Sequence, residues 1–295
     1  MNRSSQSLPS PLPAQEPRLS ETPRAAFQGR RGAFSETAVR RLFPDGVVPV
    51  ECREFENLFS AIREGRAEYI VAPLENTLAG AVYQCYDLLY ESGLSIIDEI
   101  VLPISHCLIA VPGAALKDIR EVESHPVALA QCERFFARHP GIQRKVADDT
   151  AGSVQAIVNA GDRARAAIAG SEAAALYGGT ILQEHIEDFP NNFTRFVLLS
   201  PRTGGEHNTT TTVALTIPNQ PGSLYHALAP FAEARIDLLS LLSRPIKGKP
   251  WQYRFFLDVA ASKQQLEEHV AGPLRAMDAE IRYLGSCNSR RDQHK

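Results

Sequence analysis

The chain has 295 residues, enough for about two domains that each bury a core. A net charge of -3 and 22% charged residues, with no uncompensated block of lysine and arginine, exclude the nucleic-acid-binding class. The five cysteines are scattered and lack C-x-x-C spacing, which excludes a disulfide framework and a zinc site and favours a cytoplasmic location.

Residues 1–25 are predicted to form a disordered tail. They hold five prolines and five serines and few large apolar side chains, so they lack the apolar core of a secretory signal. An organellar transit peptide is a second interpretation, although Glu16 and Glu21 disagree with the acid-poor composition of such peptides. No apolar stretch approaches the ~20 residues of a membrane-spanning helix, so we expect no membrane association.

Short apolar runs alternate with amphipathic helical segments between residues 27 and 200, which predicts an α/β layer architecture. The predicted strands are 26–28, 69–73, 104–111, 166–169 and 197–199. The predicted helices are 35–42, 82–91, 128–138, 151–160 and 172–176. We therefore expect residues 26–200 to form one α/β domain.

A polar, glycine-containing break at 201–209 indicates a linker to a second domain. Beyond it the predicted elements are strand 211–217, helix 223–234, strand 236–242, strand 252–259, helix 263–277 and strand 280–284. The order βαββαβ predicts a ferredoxin-like unit over 210–287. The polar residues 288–295 are expected to form a frayed tail.

Four polar clusters lie at the ends of these predicted elements, where α/β folds bind ligands. They are the glycine-bracketed turn 29–35 and the segments 73–77, 123–132 and 148–153. Each cluster also has a purely structural interpretation as a turn or a helix cap.

A fifth cluster, residues 191–196, opens the apolar strand that continues through 197–199. It places the hydroxyl of Thr194 next to the permanently charged guanidinium of Arg195. A guanidinium matches a carboxylate, and a hydroxyl can donate a hydrogen bond to a departing oxygen. The pair suits an anionic substrate that loses a hydroxyl group, although alone it is more typical of an ordinary turn and strand start.

In this order, the five clusters resemble the prephenate dehydratase family in the form that carries a C-terminal ACT domain. The resemblance covers residues 27–287. Its motifs are G-x-x-G-A-F-S at 29–35, P-L-E-N-T at 73–77, S-H-P-x-A-L-A-Q-C at 124–132, D-T-A-G at 149–152 and N-x-T-R-F at 192–196. No single motif identifies the family, but the five motifs in this order do.

The resemblance implies a catalytic domain of two lobes, hinged like a periplasmic binding protein, with the substrate in the cleft. One lobe would comprise 26–101 and 182–200 and the other 102–181, and strands near Ile70 and Phe196 would meet at the hinge. Thr194 and Arg195 would be the catalytic pair, with Arg195 anchoring a substrate carboxylate. The other implied substrate-binding residues are Ser35, Asn76, Thr77, Ser124, Gln131 and Thr150.

The resemblance also implies that two loops of the ACT domain hold phenylalanine between subunits. The implied effector-binding residues are Asn219, Gln220, Pro221, Gly222, Ser223, Leu224, Ser243, Arg244 and Pro245. Two positions depart from the family pattern, since Asp149 replaces a serine and Leu242 replaces a glutamate in the second loop. Edge-to-edge pairing of ACT domains would give a homodimer or homotetramer.

The implied activity is the decarboxylating dehydration of prephenate to phenylpyruvate, without a metal ion or other cofactor. Arogenate dehydratase acts on the amino-acid analogue and shares every motif, so it stays an open alternative. A non-catalytic amino-acid sensor, from a different functional class, would use the same scaffold. The presence of Thr194, Arg195 and the other polar positions favours the enzyme.

Overall fold

The structure is a computed structural model that describes residues 22–205 and 208–290. The chain first builds most of one lobe. The strands of this part are β1 (Arg24–Gln28), β2 (Val48–Cys52), β3 (Tyr69–Asn76), β4 (Gly80–Ala81) and β5 (Ser95–Pro103). Its helices are α1 (Phe34–Leu42), α2 (Phe55–Ser60) and α3 (Tyr83–Ser92). Helix α1 packs its apolar face, including Ala38 and Val39, against one side of the sheet.

The chain then builds a second lobe around its own sheet. The strands are β6 (Cys107–Ala110), β7 (Glu121–Ser124), β8 (Gln143–Val146), β9 (Arg165–Ala169) and β10 (Thr180–Gln183), in the order β10-β6-β9-β7-β8. The helices are α4 (Pro126–Ala130), α5 (Glu133–Arg138), α6 (Thr150–Ala160) and α7 (Ser171–Tyr177), with a 3₁₀ turn at Leu116–Asp118. Central β9 is buried on both faces, and its small side chains let helices approach from both sides.

Strand β11 (Phe193–Ser200) returns the chain to the first lobe, where it lies antiparallel between β3 and β5. The predicted meeting of strands near Ile70 and Phe196 is confirmed, because Leu199 pairs with Ile70 and Phe196 with Pro73. The two-lobed α/β architecture is confirmed as well. The chain crosses between the lobes after β5, which ends at Pro103, and again shortly before β11, because Ile186 and Asp188 still contact the second lobe; both crossings lie beyond the predicted boundaries at 101 and 181.

The third unit has the predicted order βαββαβ. Its elements are β12 (Thr210–Thr216), α8 (Ser223–Glu233), β13 (Leu238–Pro245), β14 (Tyr253–Val259), α9 (Lys263–Leu266), a π-helical turn (Glu267–Ala271), α10 (Gly272–Ala276) and β15 (Glu280–Cys287). Strand β15 also contacts β5, so one ten-stranded sheet runs through the first lobe and the third unit. At this contact a Cβ on Gly285 would lie 2.3 Å from the backbone of Ile96.

Two predicted helices are interrupted. The predicted helix 128–138 is divided into α4 and α5, because the carboxylate of Asp188 accepts hydrogen bonds from the N–H groups of Glu133 and Arg134. The N–H of Asp188 in turn donates to the carbonyl of Gln131 at 2.7 Å. A distant loop thus caps a new helix start and leaves Gln131 at the break. The predicted helix 263–277 is interrupted by the π-helical turn.

Within the described residues, ordered structure extends into both segments that were predicted to be tails. Strand β1 begins at Arg24, whose backbone N–H donates to Glu68 at 2.7 Å, and residues 1–21 of the predicted tail lie outside the described residues. At the other end, Ser289 and Arg290 both donate to the carboxylate of Glu99. Residues 288–290 therefore pack on the first lobe instead of fraying.

The helices in the described parts of the chain are all too short or too polar to span a bilayer. The five cysteines are buried free thiols.

Candidate active site

The polar residues at the start of β11 meet those at the end of β3. In the antiparallel register Thr194 lies opposite Asn76. Strand β11 is held between β3 and β5, so its backbone is paired on both sides. Thr194 is only 9% exposed. The sheet therefore holds the threonine hydroxyl and the asparagine amide side by side.

The amide of Asn76 has its orientation fixed by backbone groups. Its Oδ1 accepts hydrogen bonds from the N–H groups of Leu78 and Ala79 at 3.0 and 2.7 Å. Because a backbone N–H can only donate, the atom that faces it must be the amide oxygen. Nδ2 consequently points the other way, 2.9 Å from Oγ1 of Thr194 and 2.7 Å from Oδ1 of Asn192.

This orientation determines what the hydroxyl of Thr194 can do. An amide nitrogen offers hydrogens and cannot accept one, so Oγ1 of Thr194 is the acceptor in its contact with Asn76. The hydroxyl proton is therefore not used in this contact. It can be donated to an oxygen that gains negative charge, which is the arrangement that stabilises such charge in a reaction.

The contacts continue into the second lobe through Gln131. Nδ2 of Asn192 donates to Oε1 of Gln131 at 3.0 Å, and Nε2 of His106 lies 2.9 Å from the same oxygen. We call the five residues Asn76, Thr194, Asn192, Gln131 and His106 the amide network. It joins three predicted site residues, Asn76, Gln131 and Thr194, across the two lobes.

Arg195 has a different position from the predicted one. Successive side chains of a strand point to opposite faces, so Arg195 points away from the face of Thr194. Its Nε donates to Glu99 at 2.7 Å and its Nη1 to Asp258 of β14 at 2.8 Å, in a site where Arg195 is 4% exposed. Burial alone would lower the pKa of this guanidinium, but the carboxylates of Asp258 and Glu99 raise it. The predicted role as a substrate anchor is corrected, because the donors already hold two internal carboxylates.

Two predicted ligands use their hydroxyl groups on the backbone. Oγ1 of Thr77 donates to the carbonyl of Asn191 at 3.1 Å and accepts from the N–H of Phe193 at 2.9 Å. Ser124 is fully buried and donates to the carbonyl of Ile168 at 2.6 Å. In this structure both hydroxyl groups fix the strand ends near the site and do not offer their protons to a ligand.

The two predicted helix starts differ in what they offer an anion. Helix α1 begins after Ala33 without a side-chain cap, and Ser35 lies in its first turn, 8% exposed. Helix α6 begins at Thr150, and the carboxylate of Asp149 accepts the N–H of Gly152 at 2.5 Å. A carboxylate already occupies the α6 start, so this start suits a substrate anion poorly. Ligand contacts from the side chains of Ser35 and Thr150 stay predictions.

The glycine-bracketed turn also forms a contact between the lobes. The hydroxyl of Tyr177 in α7 donates to the carbonyl of Arg31 at 2.8 Å. Gly32 has a φ of +81°, and a Cβ at this position would lie 3.0 Å from Cα of Ala173. Glycine alone combines this backbone conformation with this close approach. The turn predicted from its glycines therefore holds the lobes together next to the site.

A cavity of about 230 Å³ lies between the lobes beside Phe34. Its lining includes Arg41 but also the carboxylates of Glu172 and Glu184. Two acidic groups against one arginine would repel an anionic ligand. We therefore place the candidate site at the amide network and not in this cavity.

The implied effector segments lie at one end of the third-unit sheet. Thr216 of β12, which leads into the segment 219–224, and Arg244 of β13 both pair with Arg254 of β14, so Thr216 and Arg244 are about two strand spacings apart, roughly 10 Å. The guanidinium of Arg244 pairs with Asp87 of α3 at 2.5 Å and lies 4.8 Å from the centre of the Tyr83 ring. One implied effector residue therefore touches a helix of the first lobe.

Four residues of these networks were not predicted. Asn192 belongs to the motif at 192–196, and its place there is the signal that could have identified it. Glu99 interrupts the apolar run 95–103, which is typical of a carboxylate with a buried partner. No comparable signal marks His106 or Asp258.

Comparisons with known proteins agree with these motifs. Residues 25–203 match the sequence model of the prephenate dehydratase family. Arogenate dehydratase/prephenate dehydratase 1, chloroplastic, of Arabidopsis thaliana is 38% identical over 282 residues, which cover 89% of this chain and 71% of that protein. Bifunctional chorismate mutase/prephenate dehydratase of Escherichia coli strain K12 is 32% identical over 250 residues, which cover 83% of this chain and 65% of that protein.

A solved structure shows the same fold along most of the chain. The crystal structure of prephenate dehydratase from Arthrobacter aurescens in complex with L-Phe superposes with a TM-score of 0.81. The two sequences are 29% identical, and the superposition covers 90% of each chain. The similarity therefore includes the third unit as well as the two lobes.

The role of Arg195 as the partner of two buried carboxylates can be tested. We expect Arg195→Met to lower the free energy of unfolding by about 3–5 kcal/mol, because Glu99 and Asp258 would stay buried without a counter-charge. Urea titration followed by circular dichroism measures this change, with exposed Arg53→Met as the control. Unchanged stability together with weaker substrate binding would restore the originally predicted anchoring role.

Proposed function

The chain belongs to the prephenate dehydratase family, and on this premise we propose that it converts prephenate to phenylpyruvate, carbon dioxide and water. The proposal rests on the hydrogen bonding of the Thr194 hydroxyl. Asn76 donates to its oxygen and leaves its proton available, and Asn192 connects Asn76 to Gln131 of the other lobe. The proposed catalytic domain is 26–200, followed by a regulatory ACT domain at 210–287.

The reaction needs one proton at one oxygen. The ring carboxylate leaves as carbon dioxide, and the electron pair of the broken C–C bond passes into the ring. The C–O bond then breaks on the other side of the ring, and the departing hydroxyl takes one proton to become water. Formation of the aromatic ring supplies the driving force, so the protein has only to assist this departure and hold the substrate.

We assign the assistance to Thr194. A threonine hydroxyl is a poor acid, so its contribution is a hydrogen bond that strengthens as the departing oxygen gains charge. Donors of this kind act best when their orientation is fixed before the reaction. The fixed amide of Asn76 and the paired backbone of β11 supply that fixed orientation. Closure of the two lobes would exclude water from the site.

Arogenate is the second candidate substrate. It carries an ammonium group where prephenate carries a keto group, and the relative from Arabidopsis thaliana is named for both activities. The carboxylates of Glu123, Asp148 and Asp149 line a cavity of about 280 Å³ together with Arg30 at the junction of the lobes. Glu123 is already paired with Lys145 and Arg165, and Asp149 with the start of α6, so these carboxylates are engaged within the protein. A comparison of kcat/KM on the two substrates separates the candidates.

Phenylalanine is the proposed effector, at the segments 219–224 and 243–245. The similar protein from Arthrobacter aurescens was crystallised with L-Phe, which supports this ligand. The contacts of Arg244 with Asp87 and Tyr83 offer a physical connection from the effector segment to α3. Leu242, which departs from the family pattern, packs against the apolar cluster between α3 and the sheet, where a glutamate would be buried without benefit.

The proposed assembly is a homodimer or homotetramer, formed through the third unit. Strand β13 is at the edge of the ten-stranded sheet, and Leu241 on it is 45% exposed. An exposed edge strand presents unpaired backbone groups that a second copy of the strand can pair with. A cytoplasmic location stays a prediction.

The function is tested with the purified chain on prephenate and on arogenate, each with and without phenylalanine. We expect phenylpyruvate from prephenate, detected by its absorbance in alkali, and a lower rate with phenylalanine. Binding of phenylalanine without turnover of either substrate would instead establish the sensor. If phenylalanine leaves the activity unchanged, the effector proposal is wrong and the proposed catalytic function still holds.

The assignment of Thr194 is tested by Thr194→Val, which removes the hydroxyl and keeps the shape of the side chain. We expect kcat to fall by ~10² to 10³ with little change in KM, because the lost donor acts mainly in the transition state. Thr194→Ser should keep most of the activity, and Thr77→Val should lose far less than Thr194→Val, because the hydroxyl of Thr77 is used on the backbone. A valine variant as active as the wild type would refute the assignment.

A further inference from the structure

His106 closes the amide network at its end in the second lobe. The residue precedes β6 and is 2% exposed. Its backbone is held on both sides, because its N–H donates to Glu187 at 2.8 Å and its carbonyl accepts from Ile186 at 3.0 Å. The ring of Phe34, from the first lobe, packs nearly perpendicular to the imidazole, with 5.9 Å between ring centres. Backbone and ring are thus both fixed.

The direction of the hydrogen bonds can be followed along the network to this ring. Asn76 donates to Oδ1 of Asn192, so the nitrogen of Asn192 must face Gln131. Because Asn192 donates in this contact, the atom of Gln131 that faces it must be the acceptor, Oε1. His106 meets the same Oε1 with Nε2, and an amide oxygen cannot donate. Nε2 of His106 must therefore carry the proton.

The other ring nitrogen agrees with this tautomer. Nδ1 of His106 is buried and has no hydrogen-bond partner within residues 22–205 and 208–290. In the neutral ring, Nδ1 is an acceptor without a donor. In the doubly protonated ring, Nδ1–H would be an unpaired donor and the ring would also bury a positive charge, which costs more. Burial correspondingly lowers the pKa of His106, against the opposing effect of its hydrogen bond with Gln131. The ring is therefore neutral, with its hydrogen on Nε2.

We infer that His106 is a positioning residue that aims the side-chain amide of Gln131 at the substrate, an inference that rests on the proposed dehydratase function. Two donors, from Asn192 and His106, hold Oε1 of Gln131, so the amide hydrogens of Gln131 point away from both. If the amide were turned over, its hydrogens would face two other donors. The network thereby leaves a second neutral donor, the amide of Gln131, in addition to the hydroxyl of Thr194.

The activity test uses His106→Phe, which keeps a ring against Phe34 and removes the donor. We expect kcat/KM to fall about tenfold, the usual effect of one lost neutral hydrogen bond. His106→Gln places an amide donor near Oε1 of Gln131 and should keep most of the activity. The matched control is His139→Phe, a second-lobe histidine outside the amide network, which should retain wild-type activity.

A double-variant cycle separates positioning from a general structural effect. In a Gln131→Met background, His106→Phe should change kcat/KM by less than twofold, because the group through which it acts is already gone. An equal tenfold loss in both backgrounds would overturn the inference. Activity of His106→Phe equal to that of the wild type would overturn it as well.

Nitrogen-15 NMR of the histidine side chains in the wild-type chain gives a readout that does not depend on activity. We expect the His106 ring to be protonated at Nε2 and bare at Nδ1 at neutral pH. The opposite tautomer would overturn the inference, even with an active enzyme. Failure of the wild type to turn over either substrate would instead overturn the proposed function, and the NMR result would still report on the tautomer.

Discussion

The two backbone N–H groups of Leu78 and Ala79 set the chemistry of the candidate site. They can only donate, so they fix which end of the Asn76 amide is oxygen and which is nitrogen. Every later hydrogen bond in the amide network takes its direction from that choice, through Asn192 and Gln131. The hydroxyl proton of Thr194 and the amide hydrogens of Gln131 are consequently not used within the network. The turn at the end of β3 therefore determines which atoms of the site donate and which accept hydrogen bonds.

Strand β11 carries two separate functions on its two faces. Thr194 faces the amide network, while the adjacent Arg195 reaches Glu99 on β5 and Asp258 on β14. Oxygen atoms of Asp258 also accept from the hydroxyl groups of Thr212 and Ser240, so the charges are well hydrogen-bonded. A buried ion pair of this kind contributes little net stability but strongly penalises any arrangement that separates its partners. It therefore fixes how the third unit sits against β11.

Much of this molecule could be predicted from its sequence. Periodicity identified most helices and strands and the βαββαβ order, and the five motifs in order pointed to the family. Two of the differences from the predicted elements depend on long-range contacts. Strand β5 was not predicted because Asp98 and Glu99 interrupt its apolar pattern, and their partners Arg290 and Arg195 are distant in sequence. The break at Gln131 depends on Asp188, some 57 residues away along the chain.

The sequence motifs selected residues that lie together, but the motifs could not show what each side chain contacts. Asn76, Gln131 and Thr194 were identified from motifs and do meet. Arg195 is adjacent to Thr194 in sequence, and only the alternation of a paired strand shows that its side chain belongs to the opposite face. Thr77 and Ser124 illustrate a second limit, because a motif cannot show whether a hydroxyl faces a ligand or a backbone carbonyl.

The most direct test of the directed network is the kcat of Asn76→Asp on prephenate. The substitution keeps the shape of the side chain, lets one carboxylate oxygen accept from Leu78 and Ala79, and replaces the donating nitrogen by an oxygen that draws the hydroxyl proton of Thr194 toward itself. Asn57→Asp, at an exposed position in α2, controls for the added charge. We expect kcat to fall by ~10² to 10³ while the circular dichroism spectrum is retained. A folded Asn76→Asp variant with a kcat close to that of the wild type would contradict the account.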